Sequence, residues 1–400
     1  MSLKLVHIGS WGNDPGRPQR EMLGDLPVCD ITAYPHGSFE EVLDLEKPDA
    51  VIMLSTATFA HRAFLRYCKQ RLIPTLHLYH GLMSVQITDD HRGSVKINKL
   101  AHLRYALGRA RKLITKTFPF YLTALIKTQA KSREWFRFVY DVSKLASGFP
   151  IWQPNVAEDA KTTKCAVFTE ADREHAHRVY RLALDDIQAV GNPDLISFGF
   201  DREMLGSYAP PAAANPTREV IYIDTGLVMQ ALVFQDLEMF ARHLCRTARA
   251  MHDQGFKMAL RAHPAHDQKA LQKFLSGSGI DMIGKEEFVA RLRQCAACIV
   301  EISSVTVIPA LMGIPLLYAN YDALSQLRFG PVLTSYPRGH ILTDLSQVSA
   351  ILHRQWKYDD ARALSEWISA NSGPLPAQQM PQRVAKLVDA MIGAKPGLQC

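Results

Sequence analysis

The sequence of 400 residues is 47% hydrophobic and 21% charged, a globular composition that excludes a disordered, collagen-like or disulfide-scaffold chain. Its length exceeds what one hydrophobic core usually organises and therefore predicts two domains. The net charge of +7 is local, because residues 96–144 hold twelve Lys or Arg against only Glu134 and Asp141.

Short apolar runs alternate with helix-length amphipathic segments along the chain, a pattern that predicts parallel βαβ units. The N-terminal run 1–9 is too short and too polar for a signal peptide, and the apolar stretch 113–126 is too short to span a membrane. We therefore expect a cytoplasmic protein. Seven irregularly spaced cysteines are expected to be reduced thiols. The predicted strands of the first half are Leu5–Ile8, Ala50–Leu54, Thr75–Tyr79 and Cys165–Phe168.

Residues 96–144 interleave their cations with leucine and aromatic side chains. This mixture suits an anionic lipid interface and predicts peripheral association with the inner membrane. A solvated helical face explains the pattern equally well. Nucleic acid is a weaker alternative, because no recognisable binding motif accompanies the charge, and we expect no nucleic-acid partner.

Residues 199–216 are rich in Gly, Pro, Ala and Asn, which is typical of a linker. We expect an N-terminal Rossmann-like domain at 1–198 with a basic insertion at about 96–144, a C-terminal Rossmann-like domain at 216–375, and a helix or tail at 376–400. The predicted elements of the second domain are strands Val220–Ile223, Lys257–Leu260, Met282–Ile283, Cys298–Glu301 and Pro315–Tyr318, and helices Asp236–Gln254 and Glu286–Gln294.

Three short motifs lie where strands of the second domain are predicted to end, and open parallel sheets bind ligands at such ends. In the first motif Asp224 directly follows a strand and precedes Thr225 and Gly226. A carboxylate there can point at a ligand, and the glycine permits a close backbone approach. Aspartate also begins turns and caps helices, so a structural role is the alternative.

The second motif is Arg261-Ala262-His263-Pro264, in which proline ends the strand. Arginine and histidine suit a phosphate or carboxylate through charge-assisted hydrogen bonds. A lone histidine is more often structural, but this one is expected beside Asp224. The motif therefore predicts an anion-binding group next to the carboxylate.

The third motif is Glu301-Ile302-Ser303-Ser304-Val305-Thr306, which ends another strand and opens a helix. Paired hydroxyls beside the free N–H groups of a helix start can hold an anion without a metal. Serines in this position are also common caps, so the motif is weak when it stands alone.

Together the three motifs resemble those of bacterial GT-B glycosyltransferases that use CMP-sialic acid or CMP-Kdo. Gly191-Asn192-Pro193-Asp194 looks like the turn that closes the first domain in related capsule-polymer enzymes. Tyr79-His80-Gly81 is similar to the His-Gly step of glycerophosphotransferases that use CDP-glycerol. The resemblance implies an α/β fold of GT-B type, with two Rossmann-like domains and a cleft between them. The first domain would bind a glycan or lipid-linked acceptor and the second the nucleotide-sugar donor.

The resemblance also implies roles for individual residues. Asp224 becomes the catalytic carboxylate, His263 a group on the donor phosphate, and the Ser303-Ser304 pair a further phosphate ligand. Because Asp-Thr-Gly replaces the two consecutive acids of many sialyltransferases, transferases of Kdo in capsule or lipopolysaccharide synthesis are the closer fit, with Asp224 as nucleophile of a retaining reaction. The remaining predicted donor or substrate contacts are Thr225, Gly226, Arg261, Pro264, Glu301, Thr306 and Gly81.

Three alternatives remain open. A CMP-sialic acid transferase would be inverting, with Asp224 as base, and a CDP-glycerol type transferase would use His80 as base. A degenerate GT-B scaffold or glycan-binding module is the non-enzymatic alternative. Neither metal nor cofactor is expected, because cations and hydroxyls suffice for a leaving CMP. Asp185-Asp186 is predicted to lie on a solvated helical face and not to bind a metal.

Overall fold

The computed structural model of the chain divides into two units, each built on a parallel six-stranded sheet. The first unit consists of the described residues within Met1–Met83, Ala106–Ile196 and Gly373–Cys400. The second consists of the described residues within Ser197–Ser372. The structure describes residues 4–8, 22–31, 38–56, 58–79, 115, 118–146, 160–209, 218–230, 233–325, 327, 329–357 and 360–393.

The sheet of the first unit has the strand order β2-β1-β3-β4-β5-β6. Its strands are β1 (Leu5–Ile8), β2 (Val28–Asp30), β3 (Ala50–Met53), β4 (Thr75–Leu78), β5 (Lys164–Val167) and β6 (Ile187–Ala189). Its helices are α1 (Phe39–Glu46), α2 (Phe59–Gln70), α3 (Phe118–Lys127), α4 (Ser132–Ala146), α5 (Glu170–Tyr180) and α6 (Pro193–Ser197).

The sheet of the second unit has the strand order β12-β11-β10-β7-β8-β9, so successive strands are added on one side of β7 up to β9 and on its other side from β10. Its strands are β7 (Arg218–Ile223), β8 (Phe256–Arg261), β9 (Asp281–Met282), β10 (Ala297–Val300), β11 (Leu316–Ala319) and β12 (Gly339–Leu342). Its helices are α7 (Leu237–His252), α8 (Gln268–Phe274), α9 (Lys285–Leu292), α10 (Val307–Met312), α11 (Pro331–Thr334), α12 (Val348–Lys357) and α13 (Ala361–Asn371).

The central strands are buried on both faces, which is why their sequences are nearly continuous apolar runs. All four residues of β3, β4 and β10 are buried. Local signals fix where several helices begin: the Asp236 carboxylate accepts the N–H of Met239 at the start of α7, and Thr169 and Asp172 form a capping box at the start of α5.

The predicted strands are present within one or two residues of the expected bounds, and the two-domain α/β class is confirmed. Sequence reasoning missed β2, β6 and β12, which are three or four residues long and only partly apolar. For Asp185-Asp186 the predicted contact with solvent is observed, since Asp185 is exposed and Asp186 half-buried, but the predicted α-helix is not. Helix α5 ends at Tyr180, and the two aspartates lie in a short 3-10 turn that leads into β6.

The C-terminal residues, predicted as a helix or tail at 376–400, form a helix and belong to the first unit. Helix α14 (Met380–Gly393) buries an apolar face that includes Val384 and Val388, and the Arg383 guanidinium donates to the carbonyl oxygen of Val190. This apolar face favours packing of the helix within the first unit, because exposing it to water would be unfavourable. Among the described helices, none has both the length and the apolar character needed to cross a bilayer.

Candidate functional site

The three sequence motifs meet at one edge of the second sheet. Asp224 follows β7, His263 follows β8 and Glu301 follows β10, and these strands are neighbours in the order β10-β7-β8. In the register Ile223 pairs with Arg261 on one side and with Val300 on the other. The motifs therefore lie at the carboxyl edge, at the reversal of strand order where open α/β sheets bind ligands.

Asp224 ties the ends of β7 and β8 together. Its Oδ1 accepts the backbone N–H of Gly226 at 2.8 Å, and its Oδ2 accepts the backbone N–H of His263 at 2.8 Å. The Asp224 side chain is 0% exposed. Both oxygens are therefore engaged by backbone donors, and neither faces open space.

His266 is the third neighbour of Asp224. Its Nε2 lies 2.9 Å from Oδ2 of Asp224, an ion-pair distance without the alignment of a hydrogen bond. The backbone N–H of His266 donates to the carbonyl oxygen of His263, so the two histidines sit on one turn. The Asp224 carboxylate thus contacts two parts of the His-Pro turn, the backbone N–H of His263 and the buried imidazole of His266.

His263 is half-buried and is more accessible than Asp224. Its Nδ1 accepts the N–H of Ala265 at 3.3 Å, which fixes the proton of a neutral ring on Nε2. Burial lowers the pKa of His263 below its usual 6.5, so the neutral form is favoured at neutral pH. Gly226 has φ +78, and a Cβ there would come within 3.1 Å of the His263 ring.

Glu301 is completely buried at the end of β10, 0% exposed. Its Oε1 accepts the Tyr222 hydroxyl at 2.8 Å, and its Oε2 accepts both the N–H and the hydroxyl of Thr225, at 3.1 and 2.7 Å. Burial first, and then the nearby charge of Asp224, raise the pKa of Glu301 to about 7. Glu301 therefore crosslinks β10 to the turn after β7.

A chain of buried polar side chains continues behind Glu301. The Tyr222 hydroxyl lies 3.4 Å from Nε2 of His243 on α7, and the His243 ring stacks on Tyr321 at 5.3 Å. The Tyr321 hydroxyl in turn lies 3.1 Å from Oγ1 of Thr247. Burial lowers the pKa of His243 to about 4, so this ring is neutral and serves the packing of the site.

The serine pair occupies the start of the segment after β10. Ser303 and Ser304 are half-buried, and the Ser303 Oγ accepts the N–H of Val305 at 3.3 Å. Thr306 is fully buried and donates to the backbone carbonyl oxygen of Glu301. Ser303 therefore caps this turn, which is the structural role that the sequence also allowed. Its hydroxyl proton can still donate a hydrogen bond.

The predicted site residues differ in how buried they are. Glu301 and Thr306, two of the predicted donor contacts, are both fully buried. Asp224 was expected to attack the sugar, yet its enclosed oxygens already accept hydrogen bonds, which is the geometry of the turn-forming alternative. At this edge Pro264 is exposed, and the half-buried side chains are those of Thr225, Arg261, His263, Ser303 and Ser304.

Two further sequence motifs belong to the first unit. His80 and Gly81 lie outside the described residues, so their predicted role stays a prediction. In Gly191-Asn192-Pro193, Gly191 has φ +114, the Asn192 Oδ1 accepts the N–H of Asp194, and Pro193 begins α6. This motif is therefore a turn followed by a short helix.

Sequence reasoning missed His266, Tyr222 and His243. A second histidine three residues after His263 was a usable signal, since a turn at Pro264 returns the chain toward the strand end. Tyr222 and His243 gave a weaker signal, as polar residues within an apolar strand and on the buried face of a helix.

No protein-family model matches this sequence, and none of the curated proteins matches it. Solved structures do match. The calicheamicin glycosyltransferase CalG4 has a TM-score of 0.52 and 12% identity over 98% of this chain and 99% of that chain.

Two structures of a histidine-to-asparagine variant of the wall teichoic acid polymerase TagF are also similar. The first has a TM-score of 0.51 and 11% identity over 98% of this chain and 89% of that chain. The second, soaked with CDPG, has a TM-score of 0.50 and 11% identity over 98% and 88%. The chain therefore has the two-sheet α/β fold of GT-B glycosyltransferases.

Proposed function

We propose that this protein is a glycosyltransferase that transfers an acidic 2-keto sugar from a CMP-linked donor. The proposed sugar is Kdo. The acceptor would be a glycan or glycolipid of capsule or lipopolysaccharide synthesis. The observation that carries the proposal is the convergence of Arg261, His263 and the Ser303-Ser304 pair on one sheet edge of the second unit. The likeness to glycosyltransferase structures supports the fold on which it rests.

The accessible groups at this edge suit a leaving phosphate. Arginine stays charged at neutral pH, and its guanidinium forms strong hydrogen bonds to phosphate oxygens. The Nε2–H of a neutral His263 donates a further hydrogen bond, which strengthens as negative charge develops on the phosphate during departure. The serine hydroxyls add neutral donors. Together these groups stabilise departing CMP without a metal or cofactor.

In this proposal Asp224 is a positioning residue. It accepts the N–H of His263 and contacts His266, so it fixes the turn that carries the Nε2–H donor. A nucleophilic Asp224 would have to release at least one of these contacts before it could reach the anomeric carbon. The retaining and inverting routes therefore differ in whether a covalent adduct forms on Asp224.

A second candidate is transfer of a polyol phosphate from a CDP-linked donor. It is favoured by the likeness to TagF, which has been soaked with CDPG, and by the Tyr79-His80-Gly81 motif. The same anion-binding edge would then hold the cytidine nucleotide, and His80 would be the base. The CMP-sialic acid alternative uses the same edge with Asp224 as the base.

Donor screening tests the proposal. The protein is incubated separately with CMP-Kdo, CMP-sialic acid, CDP-glycerol and a set of UDP-sugars, in EDTA and in magnesium, and nucleotide release and protein mass are measured. We expect CMP release from CMP-Kdo in EDTA and no added mass. The matched control is the variant Asp236→Asn, whose carboxylate caps α7 and not the His-Pro turn.

Each other outcome changes one part of the proposal. An added sugar mass on a peptide with Asp224 would make that residue a nucleophile. Release from CMP-sialic acid or CDP-glycerol instead of CMP-Kdo would move the donor to the alternative class. Turnover of UDP-sugars alone, or strict dependence on magnesium, would overturn the assignment. Binding of glycans without turnover of any donor would favour the non-enzymatic alternative, a scaffold or glycan-binding module.

A further inference from the structure

Helices α3 and α4, joined by a short turn, form a hairpin that is fixed to α2 by buried ion pairs. Arg62 of α2 is 3% exposed and Asp141 of α4 is 1% exposed, and their Nη1 and Oδ2 atoms lie 2.8 Å apart. The other guanidinium nitrogen of Arg62 donates to the Tyr121 hydroxyl of α3 at 2.8 Å. One buried arginine therefore holds both helices.

A second arginine repeats this arrangement one turn later. Arg66 pairs with Glu134 at 2.7 Å and also donates to the hydroxyl of Thr128. Tyr121, Ala124 and Leu125 complete the attachment by packing into the core with α2. The hairpin is thus a fixed part of the first unit.

These ion pairs also decide the charge of the outer surface. Glu134 and Asp141 are the only acids between residues 118 and 146, and both are paired with arginines of α2. Lys131 and Arg133, at the turn between the helices, are exposed and form no ion pair with a described residue. The unpaired charge on the exposed part of the hairpin is therefore positive.

Large apolar side chains accompany these cations. Ten such side chains are exposed in the described part of the chain, and five of them belong to this hairpin. Phe136 is 76% exposed, and the others are Leu122, Ile126, Val139 and Tyr140. Their spacing places Ile126 one turn after Leu122 on α3, and places both Val139 and Tyr140 one turn after Phe136 on α4. Exposed apolar residues concentrated in this way mark an interaction surface.

We propose that the exposed side of the α3–α4 hairpin, carrying Ile126, Lys131, Arg133, Phe136 and Val139, docks on an anionic lipid bilayer. Exposed aromatic and aliphatic side chains enter the interface between headgroups and acyl chains, while the cations bind lipid phosphates. Charge complementarity favours lipid over a second copy of this basic chain.

Sedimentation with vesicles tests this surface. The full chain is mixed with vesicles of phosphatidylcholine alone or with 30% phosphatidylglycerol, at low and high salt. We expect binding to the anionic vesicles that weakens at high salt, because screening shortens the reach of the cations. The double variant Phe136→Gln/Val139→Gln should lower the partition coefficient by about tenfold or more, and Lys131→Gln/Arg133→Gln should reduce the salt dependence.

Exposed apolar residues of the second unit provide matched controls. Phe274→Gln and Ile341→Gln replace side chains that are 43% and 61% exposed, and they should leave binding unchanged. Equal loss in the control and hairpin variants, or equal binding to both kinds of vesicle, would contradict the proposal. Concentration-dependent dimerisation abolished by Phe136→Gln would assign the surface to a second copy. The assay needs neither donor nor acceptor, so it is independent of the proposed transferase activity.

Discussion

The backbone N–H of His263 donates to the Asp224 carboxylate at 2.8 Å, which joins the ends of two neighbouring strands through a group with no solvent exposure. Replacing Asp224 with Asn leaves one carbonyl oxygen for the two backbone donors that the carboxylate serves. We expect the variant to lose about 1–3 kcal/mol of unfolding free energy, because a buried N–H loses its acceptor. Urea unfolding measures this loss.

The same substitution should lower turnover, because the turn that carries His263 loses its support. Asp236→Asn is the control, since asparagine is a good helix cap and should cost little. A variant of Asp224 with wild-type stability and turnover would contradict the positioning role.

Two replacements of His263 distinguish the loss of its N–H hydrogen-bond donor from the loss of its side-chain volume. His263→Leu removes the Nε2–H and should lower kcat by about 10²–10³, the loss typical of one hydrogen bond to developing charge. His263→Gln places an amide N–H near the same position and should recover part of the rate. Steady-state kinetics checks this order. Equal kcat values for the His263→Leu variant and the wild-type protein would show that His263 does not take part in the reaction.

Gly226 and Gly255 allow a test of the close approach at the site. Both have φ +78, but a Cβ at Gly226 meets the His263 ring at 3.1 Å, whereas one at Gly255 meets nothing within 4 Å. Each Gly→Ala variant should lose about 1 kcal/mol or more from backbone strain. Only Gly226→Ala should also lose transfer activity. Parallel urea unfolding and kinetics distinguish strain from displacement of His263.

Glu301 should make the protein less stable as the pH rises. Its pKa in the folded protein is about 7 against an ordinary 4.5, so the folded state binds more protons between these values. The resulting contribution to stability is present below pH 4.5 and is lost as the pH rises through about 7. Urea midpoints at pH 5 and 7.5 measure it.

Glu301→Gln removes this titration while keeping the shape. The amide oxygen can accept both donors of Thr225, and the Tyr222 hydroxyl can rotate to accept from the amide nitrogen. Relative to the variant, the wild-type protein should lose stability between pH 5 and 7.5. A constant difference between the two proteins across this range would show that Glu301 does not titrate there.

Arg62 should be important for the stability of the first unit. Arg62→Met removes one of the two guanidinium partners of the buried Asp141, leaving Arg137 at 2.9 Å, and should cost about 1–3 kcal/mol. The double variant Arg62→Met/Asp141→Leu should lose less than the sum of the single variants. Arg71→Met is the control, because Arg71 pairs with Asp44 at the surface and should cost about 1 kcal/mol or less. Additive losses in the Arg62 series would contradict a direct interaction.

Local sequence patterns are sufficient to predict most of the strands and the edge where the site lies. Apolar runs such as Val220–Ile223 and Cys298–Val300 are local signals, and a polar residue directly after such a run must lie at a strand end. Parallel connection then places Asp224, His263 and Glu301 at one carboxyl edge, as observed. The strands it missed, including β12 with its exposed Ile341, lack this signal.

Which of these side chains are accessible depends on contacts that form only in the folded protein. Asp224 accepts the N–H of His263 from a turn 39 residues further along the chain, and Glu301 accepts from Tyr222 of a neighbouring strand and from Thr225 in the turn after that strand. The charge of the α3–α4 hairpin was decided in the same way, since Arg62 and Arg66 pair with its two acids. Residue types and spacing along a chain do not specify which partners the fold brings within hydrogen-bonding distance, and those partners determine burial, pKa and exposed charge.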